Sequence, residues 1–410
     1  MLPALEALRA EVRGRFPALA GGDVLLDNAG GTQVPLAVAD RVRDYMLRSF
    51  VQVGADYDTA KTATQTVARA RTTIETLMGA GAGQVALGPS TSALCAMLAD
   101  CIRRAPRSPR NEIVVSEAGH EANAGPWLRL AREGFEPKLW RLDRARQGCP
   151  LDELERLVSE RTLLVALPHV SNLLGRVERL AEAVEIAHRA GARVVVDGVA
   201  YAPHRVMDVA AWGVDWYVFS IYKVFGPHMS ALYGSREALA EIEGPNHFFV
   251  DPRDVPYKLE LGGVLHEGCA GILGLGDYLP AVAGRAPEHP LRRETVVAAF
   301  TAIDALERPL TERLLGYLRG RADVRIIGPA GADERRVPTV SFVHAKRSSR
   351  EIALAANAAG LGIRYGHFYA HRLAAALGLD PDDGVVRVSL VHYNSPEEVE
   401  RLIAFFEEFL

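Results

Sequence analysis

Short apolar runs rich in β-branched residues alternate with longer helical patterns through the first two thirds of the chain. The runs are VALG at 85–88, EIVVS at 112–116, LLVALP at 163–168, RVVVDG at 193–198 and WYVFS at 216–220. Because the runs lack alternating polar positions, they predict strands that are buried on both faces of a sheet. The intervening helical patterns require right-handed crossovers. The pattern therefore predicts a large α/β domain with a mainly parallel sheet, covered by helices.

The pattern changes after about residue 285. A long helical stretch is followed by a few apolar runs, among them VPTVSFV and VVRVSLV, and by a final helix, SPEEVERLIAFFEEFL. A few strands mixed with helices are typical of a smaller α+β domain. We therefore predict a large domain at residues 21–284 and a small C-terminal domain at residues 285–410, onto which the N-terminal residues 1–20 fold.

Composition and charge narrow the possible functions. The chain is 49% hydrophobic and 24% charged, as expected of an ordinary globular protein. Its 47 basic and 51 acidic residues give a net charge of −4, so the chain as a whole offers no positive field for nucleic acid or an anionic membrane. We interpret the arginine-rich stretch RRAPRSPR at 103–110 as a solvated turn. A small-molecule partner is expected.

Cysteine usage and the N-terminus indicate the compartment. The four cysteines, Cys95, Cys101, Cys149 and Cys269, match no zinc-binding pattern and are too few to staple a chain of this length. The first residues lack the basic start, apolar stretch and cleavage site of a signal peptide, and no apolar run long enough to span a membrane follows. We therefore predict a cytoplasmic protein without a metal site.

Polar groups follow five of the predicted strands. In an open α/β sheet, ligands bind at the carboxyl ends of the strands, so these groups are expected to converge. Taken singly, each has an ordinary explanation as a helix cap, a polar turn, a structural ion pair or a solvated lysine. Together they suit one anionic, aromatic ligand that carries a carbonyl group. The groups are Ser90 to Ser92, His120, His169 to Asn172, Asp197 and Lys223.

Pyridoxal phosphate is a ligand of this kind. It needs a lysine amine for a Schiff base, a carboxylate at its pyridine nitrogen, a flat group over its ring and a helix N-terminus at its phosphate. Lys223, Asp197 and His120 supply the first three groups, and the helix that begins after Ser90 supplies the fourth. The residues therefore predict an enzyme dependent on pyridoxal phosphate.

Longer motifs give a more specific likeness. The chain carries LLDNAGGTQVP at 25–35, SIYKVFGPH at 220–228 and VVRVSLVHYNSPEEVERL at 385–402. In these motifs it resembles the class V aminotransferase family of pyridoxal-phosphate enzymes, near the branch of cysteine desulfurases and selenocysteine lyases. The resemblance implies fold type I, with a mainly parallel sheet of the seven-stranded type in the large domain. It also implies an α-amino acid as substrate and a homodimer with active sites at the subunit interface.

The resemblance also implies roles for individual residues. Lys223 would form the Schiff base and take the α-proton, Asp197 would pair with the pyridine nitrogen, and His120 would stack on the ring. Asn172 would lie near the 3-oxygen of the cofactor. The remaining cofactor contacts, to the phosphate, would come from Ser90, Thr91, Ser220 and Tyr222.

Substrate binding is expected to involve arginine. The resemblance implies that Arg387 binds the α-carboxylate, with Arg364 and Asn28 in the same substrate pocket. An arginine between buried strand residues needs an anionic partner, and a bidentate carboxylate suits it. The residues alone also leave a structural ion pair open for Arg387.

The chain departs from the desulfurase pattern at several positions. In RYGHFY at 364–369, tyrosine occupies the place of the sulfur-accepting cysteine, and a phenol cannot hold a persulfide. Cys269 follows His266 and Glu267 but is not in the nucleophile position. Other side chains expected of the family are also replaced. Ala200 stands in place of a glutamine, and Tyr222 stands in place of a histidine. Gly263 stands in place of a threonine that the partner subunit would supply across the dimer.

We therefore expect a lyase that removes the α-proton through Lys223 and eliminates a β or γ substituent of the carbon–sulfur or carbon–selenium type, without persulfide transfer. His120 or His367 would protonate the departing group. Epimerisation is the first alternative and needs an acid on the opposite face, for which Tyr369 and Tyr365 are candidates. Transamination, β-decarboxylation and a non-catalytic relative that only binds the cofactor also remain open.

Overall fold

A computed structural model describes residues 2–105 and 109–410, with side chains described from residue 5 onward. Part of the arginine-rich stretch at 103–110 therefore lies outside the described residues. The strands, in chain order, are β1 (Val24–Leu25), β2 (Val85–Gly88), β3 (Glu112–Ser116), β4 (Glu136–Trp140), β5 (Thr162–Pro168), β6 (Arg193–Asp197), β7 (Trp216–Ser220), β8 (Ser230–Gly234), β9 (Val324–Ile327), β10 (Thr339–His344), β11 (Leu361–Gly362), β12 (Arg364–Gly366) and β13 (Val385–Ser389).

Helices connect and cover these strands. In chain order they are α1 (Leu2–Arg13), α2 (Leu36–Arg48), α3 (Asp58–Met78), α4 (Thr91–Arg104), α5 (Gly125–Arg129), α6 (Leu151–Leu157), α7 (Leu180–Arg189), α8 (Val209–Trp212), α9 (Arg236–Ala240), α10 (His266–Leu273), α11 (Leu275–Val282), α12 (Arg293–Arg319), α13 (Ser349–Ala358), α14 (His371–Ala376) and α15 (Pro396–Phe409).

The main sheet has seven strands in the order β2-β8-β7-β6-β5-β3-β4. The strands from β7 to β4 in this order pair in parallel, and β8 is antiparallel to both of its neighbours. Alternate side chains of one strand enter different cores: Val114 of β3 faces one hydrophobic cluster, whereas Ile113 and Val115 face the other. This two-sided burial explains the continuous apolar runs and confirms the predicted mainly parallel sheet.

The C-terminal part of the chain forms a second, antiparallel sheet in the order β12-β13-β10-β9. A separate core, which includes Leu314 of α12 and Phe406 of α15, packs against this sheet. The short strand β1 pairs in parallel with β11, and α1 packs against α11 and α12. The α+β character predicted for this region is confirmed, whereas the exact boundaries at residues 20 and 284 stay a prediction.

None of the described helices is long and apolar enough to cross a membrane. The described residues also contain no group of His, Cys, Asp and Glu side chains that could hold a metal ion.

Candidate active site

One cavity lies at the carboxyl ends of the parallel strands, where the sheet topology brings the polar strand ends together. Eight of the residues predicted from the sequence line this cavity. They are Ser90, Thr91, His120, Asn172, Asp197, Ser220, Tyr222 and Lys223.

Hydroxyl groups and a helix N-terminus meet at one end of the cavity. Ser90 caps α4, because its Oγ accepts a hydrogen bond from the Ala93 N–H at 3.1 Å. Thr91 Oγ1 lies 2.8 Å from Ser220 Oγ and 3.3 Å from Ser230 Oγ. Free backbone N–H groups and hydroxyls at the positive end of a helix are a typical phosphate site. The sequence analysis missed Ser230, which pairs with Ser220 across the antiparallel β7–β8 ladder.

Asp197 ends β6 and is only 5% exposed. Its Oδ1 accepts a hydrogen bond from the Val199 N–H at 2.9 Å. Burial raises the pKa of this carboxyl, while the Val199 N–H and the Lys223 amine lower it. One hydrogen bond compensates little of the free energy that it costs to bury a charged carboxylate. A cation beside the carboxylate stabilises it, and a protonated pyridine nitrogen is such a cation.

Lys223 lies just after β7 in a single helical turn at Ile221–Lys223. Thr32 holds this turn from both sides: its Oγ1 accepts a hydrogen bond from the Phe225 N–H at 3.0 Å and donates one to the Tyr222 carbonyl at 3.2 Å. Burial, followed by the nearby Arg387 guanidinium, lowers the pKa of Lys223 to about 8, although the Asp197 and Asp27 carboxylates act in the opposite direction. Near neutral pH a useful fraction of the amine is therefore uncharged, as a nucleophile or base requires.

His120 begins a short turn and presents a flat ring to the cavity. Its Nδ1 accepts a hydrogen bond from the Ala122 N–H at 3.0 Å. Burial, followed by the positive charges of Lys223 and Arg387, lowers the pKa of His120 to about 4. The ring is therefore neutral at physiological pH, which suits stacking and does not suit storage of a proton.

Arg387 lies beside the cavity in the middle of β13 and is 2% exposed. Its Nη2 donates to Asp27 Oδ1 at 3.0 Å, and its Nη1 donates to the Asn172 carbonyl at 3.3 Å. Its Nε is buried without a partner among the described residues, and burial lowers the pKa of the guanidinium to about 10. Arg364 approaches the other oxygen of Asp27 at 3.4 Å. The sequence analysis missed Asp27, although it directly precedes Asn28 in LLDNAGG.

Asn172 links the cavity to the loop that follows β12. Its Nδ2 donates to the Phe368 carbonyl at 2.8 Å. Its Oδ1 is buried and has no hydrogen-bond partner among the residues the structure describes. An unpartnered polar atom in the wall of the cavity fits a polar ligand.

Besides Arg387 and Arg364, three other predicted residues lie outside the cavity lining. The Asn28 amide donates to the Ser389 carbonyl at 2.8 Å, and its oxygen accepts from the Tyr393 hydroxyl, so its polar atoms are used within the protein. His367 Nδ1 accepts from the Tyr369 N–H at 3.1 Å. Tyr369 is 68% exposed, with its ring 5.3 Å from that of His120. The role of Asn28 in substrate binding stays a prediction.

The four cysteines are all buried. Burial raises the pKa of the Cys101 thiol to about 11 and those of Cys149 and Cys269 to about 12, and it also raises the pKa of Cys95 well above its ordinary value. Cys269 is 0% exposed. None of these thiols is in the accessible, electropositive surroundings that produce a reactive thiolate.

The family described as "Aminotransferase class-V" matches this chain over residues 24–249 and 296–402. The chain belongs to the class V aminotransferase family. It is 37% identical over 97% of its length to an aminotransferase-like protein, FGM3, from Gibberella zeae, of which 98% is covered. It is 31% identical over 97% of its length to the cysteine desulfurase-like protein ustD from Aspergillus flavus, of which 90% is covered.

A solved structure supports the same relationship. The cysteine desulfurase CsdA from Escherichia coli superimposes with a TM-score of 0.81 at 26% sequence identity, with 98% of each chain covered. Members of the family are enzymes of fold type I that depend on pyridoxal phosphate and act on amino acids, so the predicted fold, family and cofactor are confirmed. The buried Asp197 carboxylate and the unpartnered Asn172 oxygen are consistent with that cofactor.

Proposed function

We propose that this enzyme removes the α-proton of an α-amino acid and expels a β or γ substituent, as a carbon–sulfur or carbon–selenium lyase that transfers no persulfide. The observation that carries the proposal combines the surroundings of Lys223 with the burial of the cysteines. The cavity keeps a buried, weakly basic lysine beside a carboxylate and an arginine, while all four cysteines are buried with raised thiol pKa values.

The cofactor, when bound, supplies an electron sink for the electron pair of the broken Cα–H bond. Asp197 holds a proton at the pyridine nitrogen by pairing with its positive charge. His120 covers the ring as a neutral, flat group. Ser90, Thr91 and Ser220 hold the phosphate together with the α4 N-terminus.

Lys223 is the base in this proposal. Its Nζ accepts the α-proton, which requires the neutral amine that a pKa of about 8 provides. Arg387 orients the substrate through the α-carboxylate, so that the Cα–H bond points toward Nζ. The unpartnered Arg387 Nε gives the carboxylate a free donor, and Asp27 is the internal anion with which it competes.

The departing group needs a proton or must leave as an anion. His120, with a pKa of about 4, does not carry a proton at neutral pH. Tyr369 is better placed to donate one, since its ring lies 5.3 Å from the His120 ring, and the same role for His367 stays a prediction. Because Tyr369 cannot form a persulfide, sulfide or selenide is expected to be released free into solution.

A second candidate is β-decarboxylation, in which the expelled substituent is carbon dioxide. The observation that favours it is Arg364, whose side chain is 58% exposed and lies beside the same Asp27 carboxylate as Arg387. Two guanidinium groups at one carboxylate offer separate partners for the two carboxylates of an acidic amino acid.

The experiment that decides between these reactions is a product analysis of the holoenzyme with a panel of amino acids. Cysteine or selenocysteine should give pyruvate, ammonia and free sulfide or selenide in equal amounts. Aspartate converted to alanine and carbon dioxide would instead identify the decarboxylase. Appearance of the D-isomer, or of an oxo acid without loss of the β substituent, would contradict both and indicate epimerisation or transamination.

We also propose a homodimer. In the described part of the chain, most of the large exposed apolar side chains lie in two segments, residues 34–57 and 248–265. The second segment leads directly into α10, which packs against α2 and α3. Apolar surface of this extent is typical of an interface between subunits. In sedimentation experiments the wild type should be a dimer, Leu47→Glu should shift it toward monomer, and Leu354→Glu, outside both segments, should not. A monomeric wild type would contradict the proposal.

A cytoplasmic location stays a prediction.

A further inference from the structure

The loop between β12 and α14 has an unusual backbone. Phe368 and Tyr369 have φ values of 49° and 60°. This is a left-handed backbone conformation that residues other than glycine rarely adopt. The carbonyls of both residues are held from the main domain. The Asn172 Nδ2 donates to Phe368 at 2.8 Å, and the Glu121 N–H donates to Tyr369 at 2.9 Å. The surrounding structure therefore fixes this strained turn in one place.

The turn directs the Phe368 side chain onto Arg387. The centroid of the Phe368 ring lies 3.6 Å from Arg387 Cζ, so the ring covers one face of the guanidinium. Phe368 also packs against a small hydrophobic cluster that includes Leu173, Leu373 and Leu377. The Phe368 ring therefore contacts both this apolar cluster and the Arg387 guanidinium.

The remaining contacts of Arg387 lie at the edge of the guanidinium. Asp27 and the Asn172 carbonyl accept from Nη2 and Nη1, whereas Nε has no partner among the described residues. With one face covered, the guanidinium has little freedom to turn, and water is kept from that face. A desolvated, oriented cation with a free donor binds a carboxylate more strongly than a solvated one.

We propose that Phe368 is the positioning residue for Arg387, and that the selectivity of the site for a substrate with an α-carboxylate depends on this aromatic ring. The inference rests on the proposed role of Arg387 in substrate binding. Phe368 acts through Arg387 and contacts no reacting atom in this proposal.

The test compares L-alanine with ethylamine, which is alanine without its carboxylate. Exchange of the α-hydrogen for deuterium is followed by NMR with holoenzyme, and the preference is the ratio of the two kcat/KM values. Phe368→Leu keeps the bulk and the need for a left-handed backbone but removes the aromatic face. It should reduce the preference roughly 30-fold, the upper range for a desolvated cation–π contact, mainly by raising KM for L-alanine. Phe368→Tyr keeps the aromatic face and should retain the preference.

A second pair of residues provides a matched control. The centroid of the Phe409 ring, on α15, lies 4.3 Å from Arg347 Cζ. Both residues are distant in sequence from those that line the cavity. Phe409→Leu removes the same type of contact and should leave the preference unchanged. An unchanged preference in Phe368→Leu, or an equal loss in Phe368→Tyr, would overturn the role of Phe368. No preference for L-alanine in the wild type would overturn the role of Arg387 itself, and this inference with it.

A chemical readout does not depend on turnover. Phenylglyoxal modifies accessible arginine, and peptide mass spectrometry reports the rate at Arg387. The rate should rise at least several-fold in Phe368→Ala and stay at the wild-type value in Phe409→Leu. Equal rates in Phe368→Ala and the wild type would show that the ring does not cover Arg387 and would contradict the proposal.

Discussion

The acidity of Lys223 provides a prediction that can be worked out from the structure. Burial and the Arg387 cation lower its pKa from 10.5 to about 8, and each pH unit corresponds to about 1.4 kcal/mol. The environment therefore favours the neutral amine by about 3 kcal/mol. Because only a neutral amine attacks the cofactor aldehyde, the rate at which apoenzyme captures pyridoxal phosphate should rise through about pH 8 and level off above it.

Removal of the Arg387 cation should move this profile in a known direction. Arg387→Met eliminates the second-largest cause of the lowered pKa and leaves Asp27, which raises the pKa, with only Arg364 as a cationic partner. The midpoint should therefore move to higher pH, but stay below 10.5 because burial is the largest cause. Stopped-flow absorbance between pH 6.5 and 10.5 measures the rates, and Lys223→Ala subtracts the reaction of surface lysines. A wild-type midpoint near 10, or a downward shift in Arg387→Met, would refute this reasoning.

Three further predictions follow from the same site. Asp197→Asn should retain the cofactor after borohydride reduction but slow α-deuterium exchange by orders of magnitude, because an amide cannot keep the pyridine nitrogen protonated; unchanged exchange would argue against its role. Ser230→Ala should weaken cofactor binding roughly fivefold, the value of about one hydrogen bond, in titrations of apoenzyme, whereas Ser235→Ala at the α9 cap should not. During turnover of cysteine, alkylation and mass spectrometry should find no persulfide on any of the four cysteines, and a persulfide on Cys269 that is lost in Cys269→Ser would restore a desulfurase function.

The residues that sequence reasoning placed together are those at the ends of predicted strands. Asp197 and Lys223 each follow a run of buried residues, so a local pattern is enough to place them at one edge of the sheet. The start of α4 is equally local, because Ser90 is a good N-cap in front of a helical pattern. The topology then brings these groups to one cavity without further information.

The contacts that were missed join distant parts of the chain. Asp27 pairs with Arg387, and Asn28 forms hydrogen bonds with Tyr393 and Ser389. The partners in each of these contacts are separated by more than 350 residues. No periodic pattern reports such contacts. The Phe368 ring reaches Arg387 only because two consecutive residues adopt left-handed conformations, which their types do not predict. The neutrality of His120 likewise depends on burial and on two distant cations, Lys223 in the turn after β7 and Arg387 in β13.

The most direct test of the account is to locate the covalent attachment of the cofactor. Holoenzyme is reduced with borohydride, digested, and mapped by mass spectrometry. The account predicts one modified peptide, which contains Lys223 of the SIYKVFGPH motif, and a Lys223→Ala variant that is not labelled. A label on another lysine, or undiminished labelling of Lys223→Ala, would contradict the assignment of the base and the mechanism built on it.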